Sequence, residues 1–301
     1  MTRIASAPGK IVLAGEYAVL WNAPAICMAV NRRAVAAVSG SEDGECHLRT
    51  PGFTGADRFR ILDAVTRGVR PPYDIELDTS AFMSDGRKTG IGSSAALTVA
   101  LVAALEDRSD VYAAAMEAHS RLQQGAGSGI DIAASAHGGL LEYRMPKRTV
   151  IRLEWPSGLA FRVVWTGVPA STEARLSMLA GQPSRPSRSA LLLGASHIAE
   201  AWRSGDVEQI LAEYVGYIGV LRQFSVDHGL GIFDAGHDQL TDAAMVDGLV
   251  YKPAGAGGGD VGMLFGRDEA DLDAFLERRS DLVRGVLPCA LDESGVRMEA
   301  R

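Results

Sequence analysis

Two segments of this chain are too dense in glycine to be ordinary turns, and each adjoins an apolar run. Gly90-Ile91-Gly92-Ser93-Ser94 leads into 93–105, rich in Ala, Val and Leu, and Gly255-Ala256-Gly257-Gly258-Gly259 lies between apolar segments at 249–252 and 261–266. Looser clusters stand at 125–129 and 138–139. Glycine reaches backbone conformations that other residues avoid and lets a ligand or a second backbone come close. A fold for this chain must therefore bring main chain against something at these places. The 34 glycines among 301 residues, about 11% where about 7% is usual, owe their excess to such loops.

The length suits about two domains, each able to bury a core. A hydrophobic share of 47% and a charged share of 22% exclude a disordered, collagenous or coiled-coil chain. Thirty Lys and Arg against 37 Asp and Glu give a net charge of −7, with no basic run to release counterions from a phosphate backbone. Neither nucleic acid nor a membrane surface is expected as a partner. Cys27, Cys46 and Cys289 are scattered, without metal-ligand spacing, which fits a reducing compartment. No apolar signal core or membrane span is present, so the expected location is the cytoplasm. Oligomeric state stays open, with a homodimer among the options.

Apolar patterning predicts strands at 10–20 and 24–39, a polar loop or irregular hairpin over 41–60, and a half-buried strand at 74–79. A buried helix is expected from Ser93 to Leu105, and a second over 110–124 behind an Asp cap. The pattern then gives a strand pair at 148–154 and 160–166. Helices follow near 173–180, 187–204, 206–227, 236–247 and 268–279, with strands near 249–252, 261–266 and 296–299. Turn residues at 155–159 place a boundary between an N-terminal domain, 1–158, and a C-terminal domain, 159–301, that carries the later glycine loop.

Four places can carry chemistry. In Thr89-Gly90-Ile91-Gly92-Ser93-Ser94-Ala95 a glycine turn runs into a helix whose first amides and dipole suit a phosphate, with Lys88 just before it. Read alone, it is equally a tight turn with a Ser cap. The letters also fit a dinucleotide fingerprint, but the polar residues 83–89 are not the apolar strand that site requires. Lys10 opens an apolar strand, where a lysine ordinarily faces solvent. Asp131, after Gly127-Ser128-Gly129, could take a proton or steer a nucleophile, or merely cap a helix. The loop 255–259 suits an anion nest or close ligand packing.

Taken together and in order, Pro8-Gly9-Lys10 with Gly15-Glu16-Tyr17, Gly90-Ile91-Gly92-Ser93-Ser94-Ala95-Ala96, and Gly255 to Gly259 resemble the three motifs of the GHMP kinases. Within that family Gly15-Glu16-Tyr17, Lys88-Thr89-Gly90 and Gly259-Asp260 are similar to the phosphomevalonate kinase branch. The resemblance implies an α+β fold of two domains, the N-terminal ribosomal-S5-like and ATP-binding, the C-terminal ferredoxin-like. It implies transfer of the γ-phosphoryl of ATP, with Mg²⁺, to 5-phosphomevalonate, with mevalonate or another small hydroxylated metabolite as the alternative acceptor. Lys10 and Asp131 would be catalytic. Lys88, Gly90, Gly92, Ser93, Ser94 and Ala95 would hold the nucleotide, and Ser94 also the metal. Glu16, Tyr17, Ser128, Gly257, Gly258 and Asp260 would meet the acceptor, with Lys88, Arg144, Lys147 and Arg148 as candidate cations for its phosphate. Where mevalonate kinases place a metal-binding Glu, eleven residues before the matching Asp, this chain has Ser120; Glu117 lies one helical turn away. A non-catalytic nucleotide-binding protein on the same fold is the alternative from another class, and joint retention of Lys10, Ser94 and Asp131 argues against it.

Overall fold

A computed structural model describes residues 2–51, 59–105, 110–123, 125, 127–145 and 147–300. Residues 52–58 of the expected loop and Gln124, the expected end of a helix, lie outside the described residues. The chain divides into two compact units, one of 1–11, 28–139 and 290–301, the other of 12–27 and 140–289. The turn at 158/159 falls inside the second unit, and the C-terminal residues are counted with the first.

The first unit is built on strands β1 (Arg3–Ala14), β2 (Ala25–Gly40), β3 (His47–Arg49) and β4 (Tyr73–Asp78), of which residues 12–14 and 25–27 are counted with the second unit. A short strand at Arg297–Met298 pairs antiparallel with β1, placing Met298 opposite Ala5. This pairing gives the last residues a partner in the first unit. β2 and β4 are antiparallel, with Val35 opposite Asp78, while β3 runs parallel to β4. Helices α1 (Arg60–Thr66), α2 (Ser93–Leu105), α3 (Val111–Leu122) and α4 (Ile130–His137) pack on one another. Every residue of α2 from Ala95 to Ala104 is buried. That is why its sequence is apolar all round instead of striped. Asp110 caps α3 by accepting the Ala113 amide at 2.9 Å.

In the second unit β7 (Leu140–Arg144) and β8 (Thr149–Leu153) form an antiparallel pair, after the two-residue hairpin β5 (Met83–Ser84) and β6 (Arg87–Lys88) of the first. A four-stranded antiparallel sheet runs in the order β10 (Val250–Pro253), β11 (Val261–Gly266), β9 (Ala160–Trp165), β12 (Gly285–Leu287). Helices α5 (Thr172–Leu179), α6 (Pro186–Ser204), α7 (Val207–His228), α8 (His237–Val246) and α9 (Glu269–Arg278) complete the unit. Val164, Tyr251 and Leu264 of the sheet bury against Leu240 and Ala244 of α8 and Leu272 and Phe275 of α9. Removing one such large side chain costs about 2–5 kcal/mol through the cavity left behind.

The structure corrects the sequence reading in three places. β8 and β9 are not partners; β8 pairs with β7, and β9 lies between β11 and β12. The expected strand 10–20 ends at Ala14, because Gly15 turns the chain at φ 84° and Ala18–Trp21 form a 3-10 turn. Lys10 therefore sits well inside β1 rather than at its start. Asp131 lies within α4, one residue past its first, and the cap position belongs to Gly129 at φ 78°.

Candidate active site

In the first unit, β1 and the turn 89–92 approach so closely that no side chain fits between them. A Cβ on Gly9 would lie 2.6 Å from the Ile91 carbonyl oxygen, and the Lys10 amide donates to that oxygen at 2.8 Å. Gly92, at φ 88°, leaves room for the Lys10 stem, whose Cγ would meet a Cβ there at 2.9 Å. Gly90 also takes a positive φ of 76°. Among the described residues the amides of Ser93, Ser94 and Ala95 have no acceptor, as expected for the first turn of a helix. Ser94 is exposed, and its carbonyl accepts the Thr98 hydroxyl at 2.8 Å, while Ala95 contributes only its amide because its side chain is buried. Lys88 is exposed on β6.

Asp131 is oriented from two sides. Its Oδ1 accepts the Ile132 amide at 3.0 Å, and its Oδ2 accepts Nε2–H of His119, on α3, at 3.1 Å. A carboxylate only accepts, so the donor assignment follows. The His119 side chain is 4% exposed and its Nδ1 has no partner among the described residues. Burial alone would raise the Asp131 pKa, yet His119, with Lys10 adding to it, holds the carboxyl well below the ordinary range. Burial likewise disfavours a charged His119, but Asp131 overrides that and raises the imidazole. Two helices with no sequence-adjacent signal thus produce an ion pair that the sequence alone does not announce. Ser128 accepts the Ile130 amide at 3.3 Å and so shapes the turn before α4.

In the second unit Glu16 is not open to a ligand. Its side chain is 1% exposed, one oxygen pairs with Lys252 Nζ and the other accepts the Tyr217 hydroxyl at 2.7 Å. This corrects the expectation that Glu16 meets the acceptor: both oxygens are already committed, a cost that only a complete set of partners offsets. Tyr217 in turn accepts the Gly15 amide at 2.9 Å, and Lys252 also donates to the Pro253 carbonyl at 2.6 Å. Lys252, fully buried in β10, and Tyr217, on α7, had no role in the sequence reading; a lysine inside an apolar strand was the available signal. Tyr17, at φ 59°, donates its hydroxyl to the Ala256 carbonyl at 2.7 Å and packs its ring 5.7 Å from that of Phe224. Burial raises its pKa, opposed in part by Arg175.

The loop 254–260 is fixed along its length. The Gly258 amide donates to the Ile232 carbonyl at 2.7 Å, and the Asp260 amide to that of Val168 at 2.7 Å. A Cβ on Gly257 would strike Ile232 at 2.5 Å, and one on Gly258 would fall 1.8 Å from Arg175 Nη2. Asp260, at φ 54°, accepts the Ala170 amide at 3.2 Å. Beneath the loop, buried His237 donates from Nε2 to the Gly259 carbonyl at 3.1 Å and accepts the Tyr251 hydroxyl at Nδ1, 2.8 Å away. Only the neutral ring can do both, and burial pushes the His237 pKa down to about 4.

Of the other cations considered, Arg144 is held by Glu142 at 2.8 Å, and Lys147 and Arg148 are exposed. Glu117 is exposed and lies 3.3 Å from Arg67. Among the described residues no three Asp, Glu, His or Cys side chains converge on a metal position. A divalent ion held through the Ser94 hydroxyl would take its remaining ligands from phosphate oxygens and water, as Mg²⁺ does at nucleotide sites.

The sequence pattern of the GHMP kinases N terminal domain matches residues 59–139, the stretch bearing the first glycine turn, His119 and Asp131. A phosphomevalonate kinase of Streptomyces sp. (strain CL190) is 32% identical, covering 96% of this chain and 96% of its own. A mevalonate kinase of Methanothermobacter thermautotrophicus is 36% identical over 51% of this chain and 54% of its own. In fold, the chain matches the phosphomevalonate kinase of Streptococcus pneumoniae solved with phosphomevalonate and AMPPNP. The TM-score is 0.77 at 18% identity, covering 98% of this chain and 99% of that one.

Proposed function

We propose, from the premise that this chain belongs to the GHMP kinases and is a phosphotransferase of that family, that its acceptor is 5-phosphomevalonate and its donor ATP. The observation that carries the acceptor is the similarity to a phosphomevalonate kinase over 96% of both lengths, where the mevalonate kinase of higher identity aligns over about half. In this reading the amides of Ser93, Ser94 and Ala95 and the charge of Lys88 hold the nucleotide phosphates, and Gly90 and Gly92 let them approach. Mg²⁺, held in part by Ser94, would neutralise phosphate charge when bound. Cytoplasmic location is supported by three cysteines that form no disulfide among the described residues. No helix of the described residues is long and apolar enough to cross a membrane.

The attacking atom is an oxygen of the acceptor's phosphate. Its bond to the γ-phosphorus forms as the bond from that phosphorus to the β–γ bridging oxygen breaks, and ADP leaves with the electron pair. A phosphate monoester loses its second proton near pH 6, so at neutral pH the nucleophile is already ionised and needs no strong base. Asp131, held ionised by His119, is a poor proton acceptor and fits an electrostatic role: its charge and that of Lys10 act on each other, and the Lys10 ammonium stabilises charge on the transferring group. ADP release measured with Mg²⁺-ATP and mevalonate, 5-phosphomevalonate, homoserine or galactose tests the reading. Turnover with 5-phosphomevalonate alone is expected, and turnover with mevalonate alone would replace the acceptor while keeping the family.

A further inference from the structure

The third glycine loop has a cation beside it that the sequence reading did not consider. Arg175 lies on α5, and its Nε donates to the Leu230 carbonyl at 3.1 Å, which fixes the plane of the guanidinium. Its Nη atoms make no hydrogen bond and no ion pair among the described residues. Elsewhere in the same unit Arg162, Arg203, Arg222, Arg267 and Arg278 each hold a carboxylate. Arg175 is also partly buried, so a guanidinium whose stem is held in place presents its Nη atoms with no counter-ion among the described residues.

Gly258 is what admits this side chain, because a Cβ there would lie 1.8 Å from Nη2. The loop offers further unspent donors: the amides of Gly255, Ala256 and Gly259 reach no acceptor among the described residues. Arg175 is close enough to Tyr17, whose hydroxyl holds the Ala256 carbonyl, to act on its ionisation. A fixed guanidinium fork beside unpaired backbone amides is the recognition set for a carboxylate or phosphate. The turn 89–95 already supplies one set of uncommitted donors for a nucleotide. A second set, in the other unit, calls for a second anion, and the acceptor proposed above carries both a phosphate and a carboxylate.

From this we infer that Arg175 binds an oxyanion of the acceptor, with its unpaired Nη atoms, beside the glycine loop. The inference rests on the proposed acceptor and adds the residue that selects it. It is tested by titrating the full-length protein calorimetrically with 5-phosphomevalonate, mevalonate and AMPPNP, for wild type, Arg175→Gln and Arg175→Lys, with thermal unfolding as the check on folding. Arg175→Gln is expected to weaken 5-phosphomevalonate at least ~10-fold, the scale of a lost charge-assisted pair, and to leave AMPPNP within about threefold. Arg175→Lys, which keeps the charge but not the fork, is expected to fall between, and it decides the matter should the Gln variant fail to fold. Loss with 5-phosphomevalonate alone assigns the phosphate, and equal loss with mevalonate assigns the shared carboxylate; both support the inference. Acceptor affinity unchanged in the variants, or AMPPNP weakened alone, overturns it. A wild-type protein that binds neither acceptor overturns the reading beneath it, and the wild-type titration tells the two failures apart.

Discussion

The turn at 89–92 and the loop at 254–260 are both glycine-rich, yet they are held in opposite ways. The turn is supported by its neighbours in one strand and one helix: Gly9 and Lys10 of β1 lie against Ile91 and Gly92, and the first amides of α2 are left without acceptors. The loop is pinned by side chains and carbonyls drawn from distant parts of the chain, namely Tyr17, Val168, Ile232 and His237. Under it lie the buried Glu16–Lys252 pair and Tyr217. A helix start organises donors at little cost in buried polar groups, whereas a loop between two strands needs a polar foundation. Substitutions at the turn should therefore cost turnover, and those under the loop should cost stability.

The largest effect expected is at Lys252. Lys252→Met leaves Glu16 buried without its cation, and losses of this kind run to about 3–5 kcal/mol, read as a lowered midpoint in denaturant. An unchanged midpoint would break the contrast between the two regions.

His237 gives the next largest effect, through pH. Its folded pKa of about 4 lies below the ordinary 6.5, so between those values the unfolded chain binds a proton that the folded chain refuses. Stability falls as pH drops through that window, by up to about 3 kcal/mol. His119, raised by Asp131, works in the opposite direction, its contribution being lost as pH rises through its folded pKa. Comparison with His237→Asn isolates the first effect: the gap between wild type and variant should narrow from pH 7 to pH 4. A constant gap would mean that His237 is not held neutral under the loop.

At the turn, Lys10→Met and Asp131→Asn should each lower kcat at least ~100-fold, about 2.7 kcal/mol, with little change in unfolding midpoint. Near wild-type turnover in either variant would remove that residue from the mechanism. Smallest is Tyr17→Phe, which deletes the hydrogen bond to Ala256 and should cost about 1 kcal/mol of stability. A loss of several kcal/mol there would show that Tyr17 carries more of the loop than one bond.

The same contrast explains what could be read in the sequence. α2 and its glycine turn were legible because every signal is local: two glycines, two serines, then an unbroken apolar run. Helices α5 to α9 and strands β8 to β11 of the second unit also lie close to their expected bounds, since their apolar periodicity is intact, whereas the short strands β7 and β12 carry no such pattern and were not expected. The polar foundation was not legible, because Glu16 meets Lys252 across 236 residues and neither carries a motif that announces the other. His119 was passed over for a similar reason. It reaches Asp131 only because α3 and α4 pack, and helix packing leaves no spacing rule between residues on different helices. The pairing of β8 and β9 failed because a Pro-Ser-Gly turn between two short strands reads as a hairpin whether or not the strands prefer other partners.

In the proposed function this chain moves a phosphoryl group onto a phosphate rather than onto a hydroxyl. Phosphorus NMR of the reaction of Mg²⁺-ATP with 5-phosphomevalonate tests it most directly. The monoester resonance is expected to give way to two mutually coupled diphosphate signals as ADP accumulates. A monoester signal that persists while ADP forms, or ADP that forms only with unphosphorylated mevalonate, would contradict it.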